Sequence, residues 1–284
     1  MPIDPDKLVG LAFPDIEQSY SEKDVMLYAL GVGLGHDPMD RRELSFVYEK
    51  ALKVLPTFPV VLGFDPFLLR DHETDVDYTL AVHGEEHLTL HRLPAPSGAI
   101  VARHRISDVI DKGPGKGALL LMERAIADKA TGEPIATIRQ TVFCRGDGGF
   151  GDVRPSPPVH PIPDRAPDHV CDLTTRPEMA LIYRLSRDVN PLHADPDVAK
   201  AAGFEQPILQ GLGTFGVAGH ALLRTLCDYD PSRIRAMAGR FSAPVFPGET
   251  IRTEMWQDGN VVSYRARVVE RDVIAINNGR LELN

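Results

Sequence analysis

The sequence contains few cysteines, no excess of basic residues and no long apolar run. Three cysteines among 284 residues, without a C-x-x-C spacing, argue against a disulfide framework and against a zinc site. The formal net charge of −9 argues against broad nucleic-acid binding, because phosphate contacts need clustered Lys and Arg. The lack of a long apolar run argues against a membrane-spanning helix.

The ends of the chain show no targeting signal. Residues 1–11 lack the basic and then apolar order of a signal peptide, and residues 281–284 do not form a peroxisomal tripeptide. We therefore expect a cytoplasmic protein with neither a nucleic-acid nor a membrane partner.

A faint internal repeat divides the chain into halves. Residues 21–34 and 175–185 each show the cap and the apolar spacing of a helix, and Tyr28 aligns with Tyr183. The two tyrosines are 155 residues apart, and the segments P-S-G-A-I and P-G-E-T-I recur at a similar offset of roughly 150 residues. Because the two offsets are so close, they indicate a duplicated unit.

Alternating apolar and polar residues predict antiparallel strands in both halves, so each half is α+β. The predicted strands are 99–108, 118–128, 135–144, 249–257 and 262–268. Gly and Pro crowd residues 145–166, which predicts a connector. The expected organisation is a non-catalytic, substrate-binding repeat over 1–145, a linker over 146–170 and a catalytic repeat over 171–284.

The segment 207–226 has apolar residues at helical spacing but contains four glycines. Glycine destabilises a helix by about 1 kcal/mol relative to alanine, so burial has to compensate. A long helix wrapped by a curved meander sheet provides that burial, and two such units would form a double hot-dog fold.

The stretch Y-R-L-S-R-D-V-N-P-L-H, residues 183–193, places an acid, an amide and an imidazole around a proline. Pro191 prevents a continuing helix and pushes Asn190 towards extended geometry, so Asp188, Asn190 and His193 can converge on one pocket. The alternative is a capped helix end with a surface histidine.

The sequence resembles the hydratase 2, or MaoC-like, family of (R)-specific 2-enoyl-CoA hydratases. In the second half the resemblance rests on this stretch and on the following A-G-F-E-Q-P-I-L-Q-G-L-G-T-F-G and R-F-S-A-P-V-F-P-G-E-T, and in the first half on H-G-E-E and D-K-G. The resemblance implies an α+β double hot-dog fold and reversible hydration of trans-2-enoyl-CoA. It implies that Asp188 and His193 share one water, that Asn190 helps to fix this water, and that the Gly211 N–H stabilises the oxyanion. Implied substrate-binding residues are His83, Gly84, Lys112, Val189, Pro191, Leu192 and Phe241.

Three positions depart from the family pattern. Arg187 stands where glycine is usual, Val189 where a large aromatic is common, and Gln210 where histidine often precedes the oxyanion glycine. They put the acyl specificity in doubt. The repeat also places Gly33 and Pro38 opposite Asp188 and His193, so we expect one active site per chain.

Several alternatives stay open at this point. The same dyad would serve a dehydratase acting on acyl-carrier-protein thioesters or on a branched short-chain acyl-CoA. A hot-dog thioesterase and an inactive acyl-CoA-binding protein are further candidates. His83, His87 and His91 have H-x-x-x-H spacing, but their segment alternates like a strand, so we expect no metal and no cofactor other than the CoA of the substrate. A homodimer is expected.

Overall fold

One antiparallel sheet of ten strands forms the frame of the computed structural model, which describes residues 3–72 and 74–284. The strands are β1 (Ile16–Tyr20), β2 (Ala81–Leu90), β3 (Gly98–Asp111), β4 (Ala118–Asp128), β5 (Pro134–Cys144), β6 (His169–Thr174), β7 (Ile234–Phe241), β8 (Thr250–Asp258), β9 (Val261–Val268) and β10 (Val273–Leu283). The α-helices are α1 (Pro5–Val9), α2 (Glu22–Gly31), α3 (Arg41–Leu44), α4 (Met179–Tyr183), α5 (Pro196–Ala201) and α6 (Gly211–Cys227).

The two halves of the sheet have the same topology. The strand order is β1-β3-β4-β5-β2 in the first half and continues as β7-β10-β9-β8-β6 in the second. In each half a first strand is followed by a short helix, a strand at the centre of the whole sheet and a three-stranded meander. The halves join where β2 pairs antiparallel with β7, with Glu86 opposite Gly239. The predicted duplication and the double hot-dog fold are confirmed.

The helices α2 and α4, related by the repeat, pack against each other. The rings of Tyr28 and Tyr183 lie 5.8 Å apart, and both side chains are buried. Gly31 allows this approach, because a Cβ at that position would come within 3.3 Å of the Tyr183 backbone. The aligned tyrosines of the sequence repeat therefore meet at the interface between the halves.

The glycine-rich helix α6 begins at Gly211, and residues 207–210 before it are not helical. Its glycines are compensated by close packing against the first half: a Cβ at Gly216 would lie 2.4 Å from the Val32 side chain, and one at Gly219 would lie 2.7 Å from Thr57. The predicted compensation by burial is therefore confirmed.

The first half differs from the prediction that each sheet wraps a helix. In the described residues, no long helix corresponds to α6. Instead, the buried segment 54–63 fills the space with a short 3₁₀-helix, Phe58–Val61. Pro56 and Pro59 lie in this segment and disfavour a long regular helix there.

A buried carboxylate holds the first part of the connector between the halves. Residues 145–168 lie outside the helices and strands, but the buried Asp111 accepts hydrogen bonds from the backbone N–H groups of Gly113, Gly149, Phe150 and Gly151 at 2.7–2.8 Å. These hydrogen bonds lower the pKa of Asp111 to about 2. The carboxylate therefore ties the connector to the end of β3.

We expect Asp111→Asn to lower the melting temperature at neutral pH by roughly 5 °C or more, because an amide nitrogen would face backbone donors. A carboxyl whose folded-state pKa is depressed stabilises the protein above its unfolded pKa of ~3.9. That contribution is lost as the pH falls through about 2. The difference in melting temperature between the wild type and Asp111→Asn should therefore narrow as the pH falls from ~4 to ~2. The exposed Asp152→Asn is the control, and a pH-independent difference would contradict this account.

Candidate active site

A sharp change of chain direction lies between α4 and the predicted acid–base pair, Asp188 and His193. After α4 the chain forms a 3₁₀ turn, Arg184–Ser186, and then turns at Arg187, whose φ of +86° lies in the left-handed region. This backbone conformation explains why a glycine suits the position. The Arg187 Nε donates to the Phe64 carbonyl at 3.4 Å, which links the turn to the first half.

Asn190 organises the second part of the turn. Its side-chain oxygen accepts from the Leu192 N–H at 3.1 Å and caps the 3₁₀-helix Pro191–His193. Its own backbone N–H donates to Asp188 Oδ1 at 3.4 Å. Asn190 therefore orients the Asp188 carboxylate and starts the turn that presents His193.

The turn brings Asp188 and His193 together. Asp188 Oδ2 lies 3.9 Å from His193 Nε2, and both residues are 8% exposed. His193 Nδ1 donates to the Ile208 carbonyl at 2.9 Å, so in the neutral ring the Nε2 lone pair is free. The gap exceeds a hydrogen bond, so both groups can reach one water between them.

The environment of Asp188 favours its protonated form more than water does. Burial raises the pKa of the carboxyl, and the charge on His193, the Asn190 backbone N–H and the charge on His83 act in the opposite direction. A carboxyl with a raised pKa exchanges protons more readily near neutral pH, as acid–base chemistry requires.

The N-terminus of α6 lies beside aromatic residues contributed by both halves. Gly211 is the first helical residue, and the first N–H groups of a helix have no partner inside the helix. The Phe241 ring lies 3.5 Å from the position that a Gly211 Cβ would occupy. The same ring meets the His83 ring edge-on at 4.8 Å. The β2–β7 pairing therefore joins His83 to the Gly211 region.

The remaining predicted binding residues lie in different places. Val189 and Pro191 are exposed beside the dyad, and Leu192 is half-buried. Gly84 lies at a bulge between β2 and β5, where a Cβ would meet the Thr141 carbonyl at 3.1 Å.

Lys112 is the predicted residue that the structure does not link to this group. It follows β3, and its Nζ donates to Ser156 in the connector at 2.7 Å. Among the contacts described for residues 3–72 and 74–284, none connects Lys112 with the dyad or with Gly211.

Sequence reasoning missed Glu86, which lies directly behind His83. Its side chain is 1% exposed, and its Oε2 accepts from His83 Nε2 at 3.0 Å. The alternation of buried residues along β2 places Glu86 on the inner face with Leu88 and Leu90. This residue could have been found from the sequence, because Glu86 follows H-G-E at a position where the alternation of the strand predicts a buried side chain.

The described chain, residues 3–72 and 74–284, carries neither a candidate metal-binding cluster nor a candidate membrane-spanning helix. No group of three or more His, Cys, Asp or Glu side chains there could hold a metal ion. No helix in these ranges is long and apolar enough to cross a membrane.

Family models match the two halves of the chain separately. The MFE-2 hydratase 2 N-terminal domain matches residues 18–146, and the MaoC like domain matches residues 158–279. The boundary between the two matches falls in the connector.

Complete proteins show the same relationship. Enoyl-CoA hydratase 2, peroxisomal, from Arabidopsis thaliana is 40% identical over 94% of this chain and 91% of its own length. Peroxisomal multifunctional enzyme type 2 from Mus musculus is 37% identical over 97% of this chain, but this match spans 38% of that longer protein. The crystal structure of a MaoC-like dehydratase from Phytophthora capsici superimposes with a TM-score of 0.87 and 33% identity, covering 98% of each chain. This chain therefore belongs to the enoyl-CoA hydratase 2 family of MaoC-like proteins.

Proposed function

We propose that this protein is a hydro-lyase that adds water reversibly to trans-2-enoyl-CoA and forms (3R)-3-hydroxyacyl-CoA. The observation that carries the proposal is the Asp188–His193 pair, 3.9 Å apart and buried, in a chain of the enoyl-CoA hydratase 2 family. A buried carboxylate and an imidazole that reach the same water suit this chemistry.

In the proposed reaction, Asp188 and His193 hold the water between them. The water loses a proton as its oxygen attacks C3 of the enoyl group, and C2 gains a proton on the same face. Negative charge on the thioester oxygen is stabilised by the Gly211 N–H at the N-terminus of α6. Dehydration follows the same path in reverse, with the acid and base roles exchanged.

Substrate contacts are proposed on both sides of the dyad. His83, Gly84 and Phe241 would border the thioester end, and Val189, Pro191 and Leu192 would contact substrate at the exposed side. Four further statements remain predictions: that Lys112 contacts a CoA phosphate, that the protein is a homodimer, that it acts without a cofactor, and that it is cytoplasmic. The names of the Arabidopsis and mouse relatives place those proteins in peroxisomes.

The test is a substrate series from crotonyl-CoA to long-chain enoyl-CoAs. Hydration is measured as the loss of the enoyl absorbance, and the configuration of the product is determined by chiral analysis. We expect hydration with (3R) product. No turnover at any chain length would overturn the proposal, and an (S) product would contradict its stereochemistry. Release of free CoA thiol without a hydroxyacyl product would indicate a thioesterase, and turnover confined to acyl-carrier-protein thioesters would indicate the related dehydratase.

The pH dependence of kcat/KM should reflect the buried carboxylate. Because burial raises the pKa of Asp188, its base form is lost at a higher pH than for an ordinary aspartate, whose pKa is ~3.9. We expect kcat/KM to fall on an acid limb that lies above this value. Circular dichroism over the same range checks that the protein stays folded, and full kcat/KM down to pH ~4 would contradict the prediction.

A further inference from the structure

The inner face of the first half of the sheet carries an unusual row of polar residues. Directly opposite residues of antiparallel strands point to the same side of a sheet. Arg124 of β4 lies opposite Ile138 of β5 and His104 of β3, and Ile138 is buried in the core. These three side chains therefore point inward.

The neighbouring row is arranged in the same way. Gln140 of β5 lies between Glu86 of β2 and Met122 of β4. We call Glu86, His104, Arg124 and Gln140 the polar seam. Ile138 belongs to the main hydrophobic cluster and Met122 to the smaller one. The polar seam therefore lies between two apolar clusters.

The two charged residues of the polar seam are buried but do not contact each other. Glu86 Oε2 is bonded to His83, while its Oε1 has no hydrogen-bond partner among the described residues. Arg124 donates from a terminal nitrogen to the Val60 carbonyl at 2.7 Å, and its guanidinium lies 5.4 Å from the centre of the Phe64 ring. The buried Nε of Arg124 has no partner in the same ranges. Each charge is thus held from one side and leaves one polar atom unused.

A third unused polar atom belongs to Tyr183, which precedes Asp188 by five residues in the chain. The Tyr183 hydroxyl is buried and has no partner in the described part of the chain. Burial raises the pKa of Tyr183, and the charges of Asp188, Glu86 and Arg124 act on it in addition. Burial also lowers the pKa of Arg124 to about 10, against the opposing charge of Glu86. The charges of Glu86 and Arg124 therefore act on the buried hydroxyl of Tyr183.

Buried polar atoms without partners are strongly unfavourable, and opposite charges in a protein interior normally close into an ion pair. Here His83 holds Glu86, whereas Val60 and Phe64 hold Arg124, so the two remain apart. A bridging group must donate to a carboxylate and accept from a guanidinium or a phenol. A hydroxyl does both, an alkyl chain does neither, and a carboxylate would be repelled by Glu86.

We propose that the acyl part of this site takes an enoyl-CoA whose chain carries a hydroxyl group, held between the Glu86 carboxylate and the Arg124 guanidinium. The polar seam is continuous with the site, since Glu86 binds His83 and His83 packs on Phe241 beside Gly211. This inference rests on the proposed enoyl-CoA hydration and names its substrate class.

The test compares trans-2-decenoyl-CoA with its monohydroxylated derivatives, a set of positional isomers that carry the hydroxyl at successive carbons beyond C4. A site built to bond a hydroxyl discriminates strongly against the analogue lacking it, so we expect kcat/KM to favour one isomer by about tenfold or more. The double variant Glu86→Gln/Arg124→Met removes both charges together, which avoids leaving one of them buried alone. In this variant the preference should fall close to unity.

Arg139→Met is the matched control, because Arg139 is exposed on β5 and pairs with Glu123. It should keep the preference of the wild type. Equal kcat/KM for the hydroxylated and plain substrates at every position would overturn the inference, because it is the result expected if only a water bridges the two charges. It would leave the proposed hydration intact. Failure to hydrate any enoyl-CoA would instead refute the proposed function. A preference of wild-type size in the folded double variant would also overturn the inference, and equal wild-type values overturn it even if the double variant does not fold.

Discussion

Replacing Asp188 by Asn is expected to lower kcat for enoyl-CoA hydration by roughly 10²–10⁴-fold, the usual contribution of a positioned acid–base group. Asn has nearly the same shape, so the turn through Asn190 should persist, but an amide cannot take up the proton of the attacking water. Steady-state kinetics with a saturating enoyl-CoA measure the change directly. KM should change much less than kcat, because the lost interaction belongs to the transition state.

The matched control is Asp195→Asn, because Asp195 caps α5 close to the dyad in sequence and Asn caps equally well. Its kcat should equal that of the wild type. Combining Asp188→Asn with His193→Gln should lower kcat little further than either change alone, since the two residues act on one water. Equal activity of Asp188→Asn and the wild type would remove the dyad from the mechanism. If both were inactive while binding acyl-CoA, the chain would be an acyl-CoA-binding protein.

Replacing Gly211 by Pro is expected to lower kcat by roughly 10²–10³-fold, the usual result of removing one oxyanion donor. Proline is well tolerated at the first position of a helix, where its missing N–H has no partner inside the helix. Gln210, with ψ of 140°, already has the extended geometry that a following proline requires. The change should therefore remove one hydrogen-bond donor and preserve α6.

Gly211→Ala distinguishes the effect of losing the N–H donor from the effect of adding a side chain at position 211. It keeps the N–H, and its Cβ would meet the Phe241 ring at 3.5 Å, an ordinary van der Waals contact. We expect its kcat to stay much closer to that of the wild type. Thermal unfolding of both variants should show similar midpoints. A Gly211→Pro protein with the wild-type kcat would show that another group stabilises the oxyanion.

Features that depend on neighbours along the chain could be predicted from the sequence. Pro191 predicts the extended backbone of Asn190, whose ψ is 123°, and so the second part of the turn that brings Asp188 and His193 together. Five of the six meander strands follow from their alternation, whereas β10 was not predicted. The aligned Tyr28 and Tyr183 indicated the duplication that the two half-sheets confirm. In each case the deciding interactions are local or recur in both halves.

Features that depend on contacts between distant segments were decided only by the tertiary structure. The pairing of β2 with β7 places His83 beside Phe241, and no pattern in either strand specifies its partner in the other half. The same holds for Asp111, which gathers donors from a connector nearly forty residues away.

The sequence by itself determined the duplicated hot-dog frame and the extended backbone at Asn190, because strand alternation and a proline act locally on the backbone. Only the tertiary structure replaced the expected first-half helix with the buried segment 54–63. It also left Glu86 and Arg124 buried and apart. Burial and partner choice depend on which faces meet when the halves pack, and that information is distributed over the whole chain.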